Sequence, residues 1–172
     1  MSILTFEQQQ KNKPISENNR RDFSQINDEV YEVRIVPMFG TDFLIDVESN
    51  LTNVVYKKLL FGCTYTISDS GINYRHNGLL KVIAFFNYAE YSKLIGVEDT
   101  FTGYVKANRG EMERANEGEV KEITNFAYKL AYTEAERVKN YLDNNCDTFT
   151  KWKTTAIKDK VTAPSFIRIK KK

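Results

Sequence analysis

The stretch from Leu79 to Ile95 constrains the fold more than any other part of this chain, because almost every position in it is apolar or aromatic. A helix that is apolar on all sides has to be buried on most of them, so this stretch predicts a central core helix. It is shorter than the roughly 20 apolar residues that cross a bilayer. Because no apolar leader precedes it either, we expect a protein that is made inside the cell and has no membrane partner.

A second helical pattern begins at Glu111 or Glu117 and ends near Asn145. Its apolar residues recur three or four positions apart: Val120, Ile123, Ala127, Leu130, Ala131, Ala135, Val138, Tyr141 and Leu142. Asn116, with Glu119 three positions later, resembles a helix N-cap with its reciprocal acid. A helix of thirty residues spans about 45 Å, which is more than a small bundle requires. This length would suit contacts with other subunits.

Shorter patterns complete a predicted helical core over residues 25–147. The helical spacing of Ile26, Val30 and Val33 along one stripe predicts a helix over residues 25–34. A second helical pattern covers residues 43–61, with Lys57 and Lys58 on its open face. Residues 64–77 predict an extended connection or small hairpin, and residues 100–109 predict two short strands. The predicted fold class is therefore mainly α, a helical bundle with one long helix in its C-terminal half and small β-hairpin or extended elements.

The N-terminal segment, residues 1–24, is polar and poor in residues that form a core. Such a segment cannot bury enough apolar surface to offset its loss of conformational entropy. We therefore predict an extended arm that orders only against a partner.

Positive charge is concentrated at the other end of the chain, in residues 148–172, which we call the basic tail. It contains eight basic residues against one acid, so it carries +7 and the rest of the chain carries −5, although the formal net charge is only +2. The basic residues are Lys151, Lys153, Lys158, Lys160, Arg168, Lys170, Lys171 and Lys172. This asymmetry favours an anionic partner, either nucleic acid or an acidic protein surface, but a tail that only improves solubility remains open.

Two features of the basic tail suggest contacts with a neighbouring chain. Trp152 lies between two lysines and is either an interface anchor or a cap over the end of the bundle. The segment Phe166-Ile167-Arg168-Ile169 alternates in character, so it could pair at a sheet edge, including one on a neighbouring chain. These five residues are our candidates for contacts with another subunit.

The sequence holds few residues of the kinds that carry out chemistry. Cys63 and His76 are the only pair available to a thiol nucleophile, and their separation matches no catalytic motif. A free cysteine beside an apolar helix end is usually buried and inert. One histidine and two distant cysteines leave a zinc site short of ligands, and there is no glycine-rich phosphate loop. We therefore expect no catalytic residues, no metal and no cofactor, and a protein that is not an enzyme.

Three runs of sequence carry a family resemblance: residues 35–43 (IVPMFGTDF), 78–91 (GLLKVIAFFNYAEY) and 102–106 (TGYVK). The likeness continues through the long helix to residues 141–145 (YLDNN). In these runs and their order the chain resembles the head-to-tail connector, or adaptor, proteins of tailed bacteriophages, and most closely the ring proteins of crAss-like phages.

The resemblance implies a structural virion protein that assembles with copies of itself into a ring, usually twelvefold. Such a ring lies at the head–tail interface, where it binds the portal protein on one side and the tail or other ring proteins on the other. The five candidate contact residues, Trp152 and Phe166–Ile169, would then contact either a neighbouring subunit or the portal protein. It would be assembled in the cytoplasm of the bacterial host, and genome DNA would pass through its lumen on ejection without sequence-specific contact. An acidic body is compatible with this, because a lumen dense in positive charge would hold the anionic duplex.

A second hypothesis requires no ring. The chain could be a small nucleic-acid-binding module that uses the lysines of the basic tail on phosphates, in which case a monomer would bind DNA in a salt-sensitive manner.

Overall fold

The computed structural model describes residues 3–15, 20–67, 71–94, 97–100, 103–106 and 117–152, with the backbone alone at residues 20–22, 94, 97–100, 103–106, 117 and 119. This part of the chain is mainly helical, as predicted. Its helices are α1 (Phe6–Asn12), α2 (Arg20–Val30), a π-helical turn (Tyr31–Ile35), α3 (Val36–Phe39), α4 (Thr41–Ser49), α5 (Val54–Phe61), α6 (Leu79–Leu94) and α7 (Glu117–Asp143). Its strands are β1 (Cys63–Thr66), β2 (Asn73–His76), β3 (Val97–Thr100) and β4 (Gly103–Lys106).

The predicted core helix is confirmed as α6, which lies at the centre of the bundle. It contacts α1, α2, α5 and α7, and its side chains from Leu79 to Phe86 are almost all buried. Gly78, directly before α6, has φ +95°, and a Cβ at this position would collide with the carbonyl oxygen of Leu60. Only glycine fits this close crossing between the end of α5 and the start of α6.

The long helix is confirmed as α7, which the structure describes from Glu117 to Asp143, whereas the other predicted start, Glu111, lies outside the described residues. Asn116, the predicted N-cap, lies outside the described residues, as does the side chain of Glu119. Small buried residues, Ala127, Ala131 and Ala135, bring α7 close to α6. Towards the start of α7 the apolar stripe is left uncovered, and Ile123 is 44% exposed.

The helix predicted over residues 25–34 is one part of a longer helical run from Arg20 to Phe39. Its buried residues are Phe23, Ile26, Asn27, Val30, Tyr31, Ile35 and Phe39. The π-helical turn inserts about one extra residue and rotates the buried face, so that Ile35 points inward and Val33 is 57% exposed. The prediction that Val33 would continue the buried stripe is therefore wrong.

The helical pattern over residues 43–61 is divided into α4 and α5. Asn53 caps the second helix, since its side-chain oxygen accepts a hydrogen bond of 2.9 Å from the backbone N–H of Val55. The predicted open face of α5 is confirmed, because Lys57 and Lys58 are both exposed.

Both predicted β elements are antiparallel hairpins. Strands β1 and β2 pair Cys63 with His76 and Tyr65 with Tyr74. Strands β3 and β4 pair Val97 with Lys106, so this hairpin begins earlier than the predicted range of 100–109.

The prediction of an extended N-terminal arm is wrong for the part of residues 1–24 that the structure describes. Residues 6–12 form α1, whose N-cap Thr5 exchanges hydrogen bonds with Gln8 in a capping box. The aliphatic and aromatic side chains that the structure describes in this segment, Ile3, Leu4, Phe6, Ile15 and Phe23, are all buried. The composition argument failed because these residues are too few to form a core of their own, yet they complete a core that the rest of the chain supplies.

Candidate functional site

Trp152 caps the end of the bundle and does not serve as an external anchor. Only 6% of the residue is exposed, and its ring lies 5.5 Å from that of Phe43 and 6.0 Å from that of Phe39, centroid to centroid. Its indole N–H donates a hydrogen bond of 2.8 Å to the carboxylate of Asp143 at the end of α7. The choice left open by the sequence is thereby decided, and the prediction of Trp152 as a subunit or portal contact is wrong. The core extends past residue 147 to include Phe149 and Trp152.

The remaining predicted contacts, Phe166, Ile167, Arg168 and Ile169, lie outside the described residues. The same is true of Lys153, Lys158, Lys160, Lys170, Lys171 and Lys172. Of the basic residues of the tail, the structure describes Lys151, whose side chain is exposed.

The β1–β2 hairpin brings Cys63 and His76 together, although their spacing in the sequence matched no motif. The Cys63 sulfur lies 3.3 Å from Nε2 of His76, and the imidazole stacks on the ring of Tyr141 at 4.4 Å between centroids. The two residues are direct cross-strand partners, which explains how a separation without a motif places them in contact.

The protonation states of this pair argue against a nucleophile. Burial raises the pKa of the Cys63 thiol, and burial lowers the pKa of His76 from 6.5 to about 4. At neutral pH the thiol and the imidazole are therefore both uncharged, whereas thiol catalysis requires a thiolate. His76 also keeps Nδ1 buried without a hydrogen-bond partner among the described residues, so no third group orients it as a base. What the geometry supports is a packing contact between the hairpin and α7.

A polar cluster around Glu90 joins the π-helical turn to α6 and α7. The Glu90 carboxylate lies 3.4 Å from the Arg34 guanidinium and 2.6 Å from the Lys93 ammonium, and it accepts a hydrogen bond from the Tyr128 hydroxyl. Burial alone would raise the pKa of Glu90, but the hydrogen bonds from Lys93 and Tyr128 lower it below its usual value. Because these charged groups are paired with one another, the cluster is better explained as a contact that joins the helices than as an acid–base site.

A groove with an apolar floor lies between α6 and α7. Its volume is about 380 Å³. The apolar residues that line it are Phe85, Tyr88, Ile123, Phe126, Ala127 and Leu130. Phe126 is 63% exposed and Ile123 is 44% exposed, so both side chains present large apolar surfaces to solvent. We call this feature the α6–α7 groove.

Two charged residues complete the lining of the α6–α7 groove. Glu122 is exposed on α7, one residue before Ile123. Lys13 follows α1 and places its ammonium 4.3 Å from the centroid of the Tyr88 ring. An apolar floor bordered by one acid and one base is a surface suited to a short apolar segment.

The described residues offer no group of three or more histidine, cysteine or carboxylate side chains placed to hold a metal ion. No helix among them combines the length and the apolar character needed to cross a membrane.

Comparison with known proteins places the chain in a family without assigning it an activity. Neither the curated proteins nor the solved structures contain a match to it. A family model does match, and it extends from residue 35 in the π-helical turn through α7 to residue 160, which is most of the chain. The chain therefore belongs to a family of unknown function, DUF6712.

Proposed function

We propose that this protein is a structural virion component, a connector ring that stands between the portal and the tail of a bacteriophage and through which genome DNA passes. The observation that carries the proposal is the apolar surface on the first half of α7, where Phe126 and Ile123 are exposed next to a groove. Exposed apolar patches of this kind are typical of surfaces that bind another protein.

Two further observations support an assembly role. The α7 helix of 27 residues is about 40 Å long, so it presents this surface well away from the end of the bundle that Trp152 closes. The kind of assembly, a connector ring, is inferred from the resemblance to phage connectors. That resemblance is carried by residues 35–43, 78–91 and 102–106. Identical chains that join through two different surfaces close into a ring when the rotation between them allows it.

The test of this proposal is the deletion of residues 163–172. We expect the shortened chain to fold as the full chain does, because it retains every buried residue of the part of the chain that the structure describes, but to lose assembly into rings. Circular dichroism and thermal unfolding would report the fold. Mass in solution and electron microscopy, each with and without the portal protein, would report the assembly. If assembly with the portal is unchanged, the tail has no part in it, and if the full chain forms no ring with the portal, the proposed function is wrong.

The second candidate, a nucleic-acid-binding module, is favoured by the +7 charge of residues 148–172. It predicts that the monomer binds short duplex DNA and that log affinity falls linearly with log salt concentration, with a slope set by the number of phosphates contacted. The connector proposal predicts that DNA binding by the monomer has no part in assembly. Replacing Lys170, Lys171 and Lys172 by glutamine would separate the two, because it weakens a phosphate-binding tail without removing Phe166–Ile169.

A further inference from the structure

Apolar side chains of the α6–α7 groove are in contact with water, which is unfavourable in free energy. An occupant that covered them would remove this unfavourable exposure. Burial of apolar surface stabilises by about 25 cal/mol per Å², and complete burial of a phenylalanine side chain contributes roughly 1.5–3 kcal/mol. Phe126 and Ile123 keep 63% and 44% of their surface exposed. The groove volume of about 380 Å³ corresponds to a few side chains and not to a folded domain.

The sequence outside the described residues contains a segment of matching chemistry. The other undescribed stretches are short or polar, such as residues 16–19 (SENN) and 107–116 (ANRGEMERAN). The basic tail is different, because it carries Phe166, Ile167 and Ile169 within four positions. In an extended segment Ile167 and Ile169 share one face, while Phe166 and Arg168 share the other.

The segment has one charged contact available in the groove. Arg168 stands between the two isoleucines. The groove lining holds one carboxylate, the exposed Glu122 beside Ile123 on α7, and one ammonium, that of Lys13, which lies over the Tyr88 ring. A pairing of Arg168 with Glu122 would fix the direction in which the segment lies.

The groove and the residue that precedes the undescribed part of the tail lie at different places along α7. Trp152 packs against Asp143 at the end of α7, whereas Phe126 lies 17 residues earlier, about 26 Å back along the same helix. The 13 residues between Trp152 and Phe166 would span about 46 Å if extended, so distance alone allows a contact within one chain as well as between two. A groove and a tail segment are two unlike surfaces, and such surfaces can join identical chains head to tail, which is the arrangement that builds a ring.

We propose that the α6–α7 groove receives residues Phe166–Ile169 of a second copy of this chain. The groove is then the acceptor and the end of the basic tail is the donor in each contact between neighbouring subunits. This inference rests on the proposed function, because it names the contact by which the ring would be held together.

A peptide covering residues 161–172, labelled with fluorescein, tests the acceptor directly when it is added to the full chain. We expect saturable binding, weakened at least tenfold by Phe126→Ser. Phe61→Ser is the matched control, since Phe61 on α5 is 60% exposed but does not line the groove. A peptide in which Ile167 and Ile169 are replaced by serine should not bind. Absence of peptide binding, or equal loss with Phe126→Ser and Phe61→Ser, would overturn the proposal.

Mixing two variants of the full chain tests whether the contact runs between chains. Neither Phe126→Ser nor the double variant Ile167→Ser/Ile169→Ser should self-associate alone, but an equimolar mixture retains one intact donor and one intact acceptor and should give a dimer by sedimentation. A mixture that remains monomeric, or variants that retain the mass of the wild-type assembly, would contradict the head-to-tail contact. A tail bound in the groove of its own chain would show itself as a cross-link between residues 126 and 166 that stays within one chain in mixtures of ¹⁴N- and ¹⁵N-labelled protein, and it would also contradict the proposal.

Failure of this inference and failure of the proposed function give different results. If the Phe126→Ser chain still forms rings on the portal, the proposed groove contact is wrong but the proposed connector function stands. If the groove binds the tail but the wild-type chain never joins a portal, the contact is correct and the connector function is wrong.

Discussion

His76 shows how burial changes the chemistry of a single residue. It is 1% exposed, stacks on Tyr141 and contacts the sulfur of Cys63. The Glu134 carboxylate raises its pKa, but the larger effect of burial brings the pKa down from 6.5 to about 4. The folded protein therefore holds this imidazole neutral at a pH where the unfolded chain would protonate it.

We expect the protein to lose stability as the pH falls from 6.5 towards 4. In this window the unfolded chain binds a proton at His76 and the folded chain does not, so the free energy of unfolding decreases with falling pH and is fully restored above pH 6.5. The shift corresponds to about 3 kcal/mol over the whole window. Urea unfolding between pH 4.5 and 7.5 would measure it.

The assignment of this effect is simple because His76 is the one histidine in the sequence. The variant His76→Gln should be less stable at pH 7 but should lose most of the dependence on pH between 6.5 and 4.5. A wild-type protein whose unfolding midpoint is constant over this range would show that His76 is accessible to protons in the folded state.

At the scale of elements, three buried amide side chains hold α1 and α2 against α6. The Asn87 side-chain amide on α6 donates to the side-chain oxygen of Asn27 at 2.9 Å and to that of Gln9 at 3.3 Å. Gln9 in turn donates to the backbone carbonyls of Lys13 at 2.7 Å and Ala84 at 3.2 Å. Buried polar groups are costly when their partners are removed, so this network specifies where α1 lies.

Asn87→Ala should therefore destabilise the protein by about 2–3 kcal/mol, because it leaves the side-chain oxygens of Gln9 and Asn27 without this donor. Chemical denaturation would give the change, and hydrogen exchange should become faster in α1. Asn144→Ala is a suitable control, since Asn144 makes an exposed hydrogen bond of 2.7 Å to the carbonyl of Asn140. Similar losses in the two variants would mean that the buried network contributes no more than a surface hydrogen bond.

At the scale of the whole molecule, the two ends of the chain differ in how much they contribute to the described core. Near the N-terminus Ile3, Leu4 and Phe6 are buried, whereas the buried residues of the C-terminal region end at Trp152 within the part of the chain that the structure describes. The end that the sequence suggested was an arm is therefore part of the fold.

Two deletions of equal length should show how much each end of the chain contributes to stability. Removal of residues 1–10 takes away three buried apolar side chains and most of α1, and we expect it to lower the free energy of unfolding by several kcal/mol. Removal of residues 163–172 should leave the thermal midpoint within about one degree of the full chain, because it removes no side chain of the described core. A tail deletion as harmful as the N-terminal deletion would place the tail in the core.

Periodicity was sufficient to predict the elements whose own pattern decides their structure. The apolar run at Leu79–Leu94 has to be buried wherever it lies, and the spacing of α7 and the turn residues between β1 and β2 are equally local signals. The exposed lysines Lys57 and Lys58 follow from the same reasoning. Periodicity did not predict the side of the helix on which Val33 lies, because a π-helical turn changes the register and leaves no clear mark in hydrophobic spacing.

The sequence by itself determined a mainly helical chain with an acidic body, a basic end and few candidates for chemistry, since composition and periodicity depend on neighbouring residues alone. Only the tertiary structure decided that α1 belongs to the core, that Trp152 faces inward, and that Phe126 and Ile123 remain exposed beside a groove. Such outcomes depend on which surfaces meet across long separations in sequence. A few apolar residues are buried or exposed according to whether another element covers them, and no local pattern contains that information.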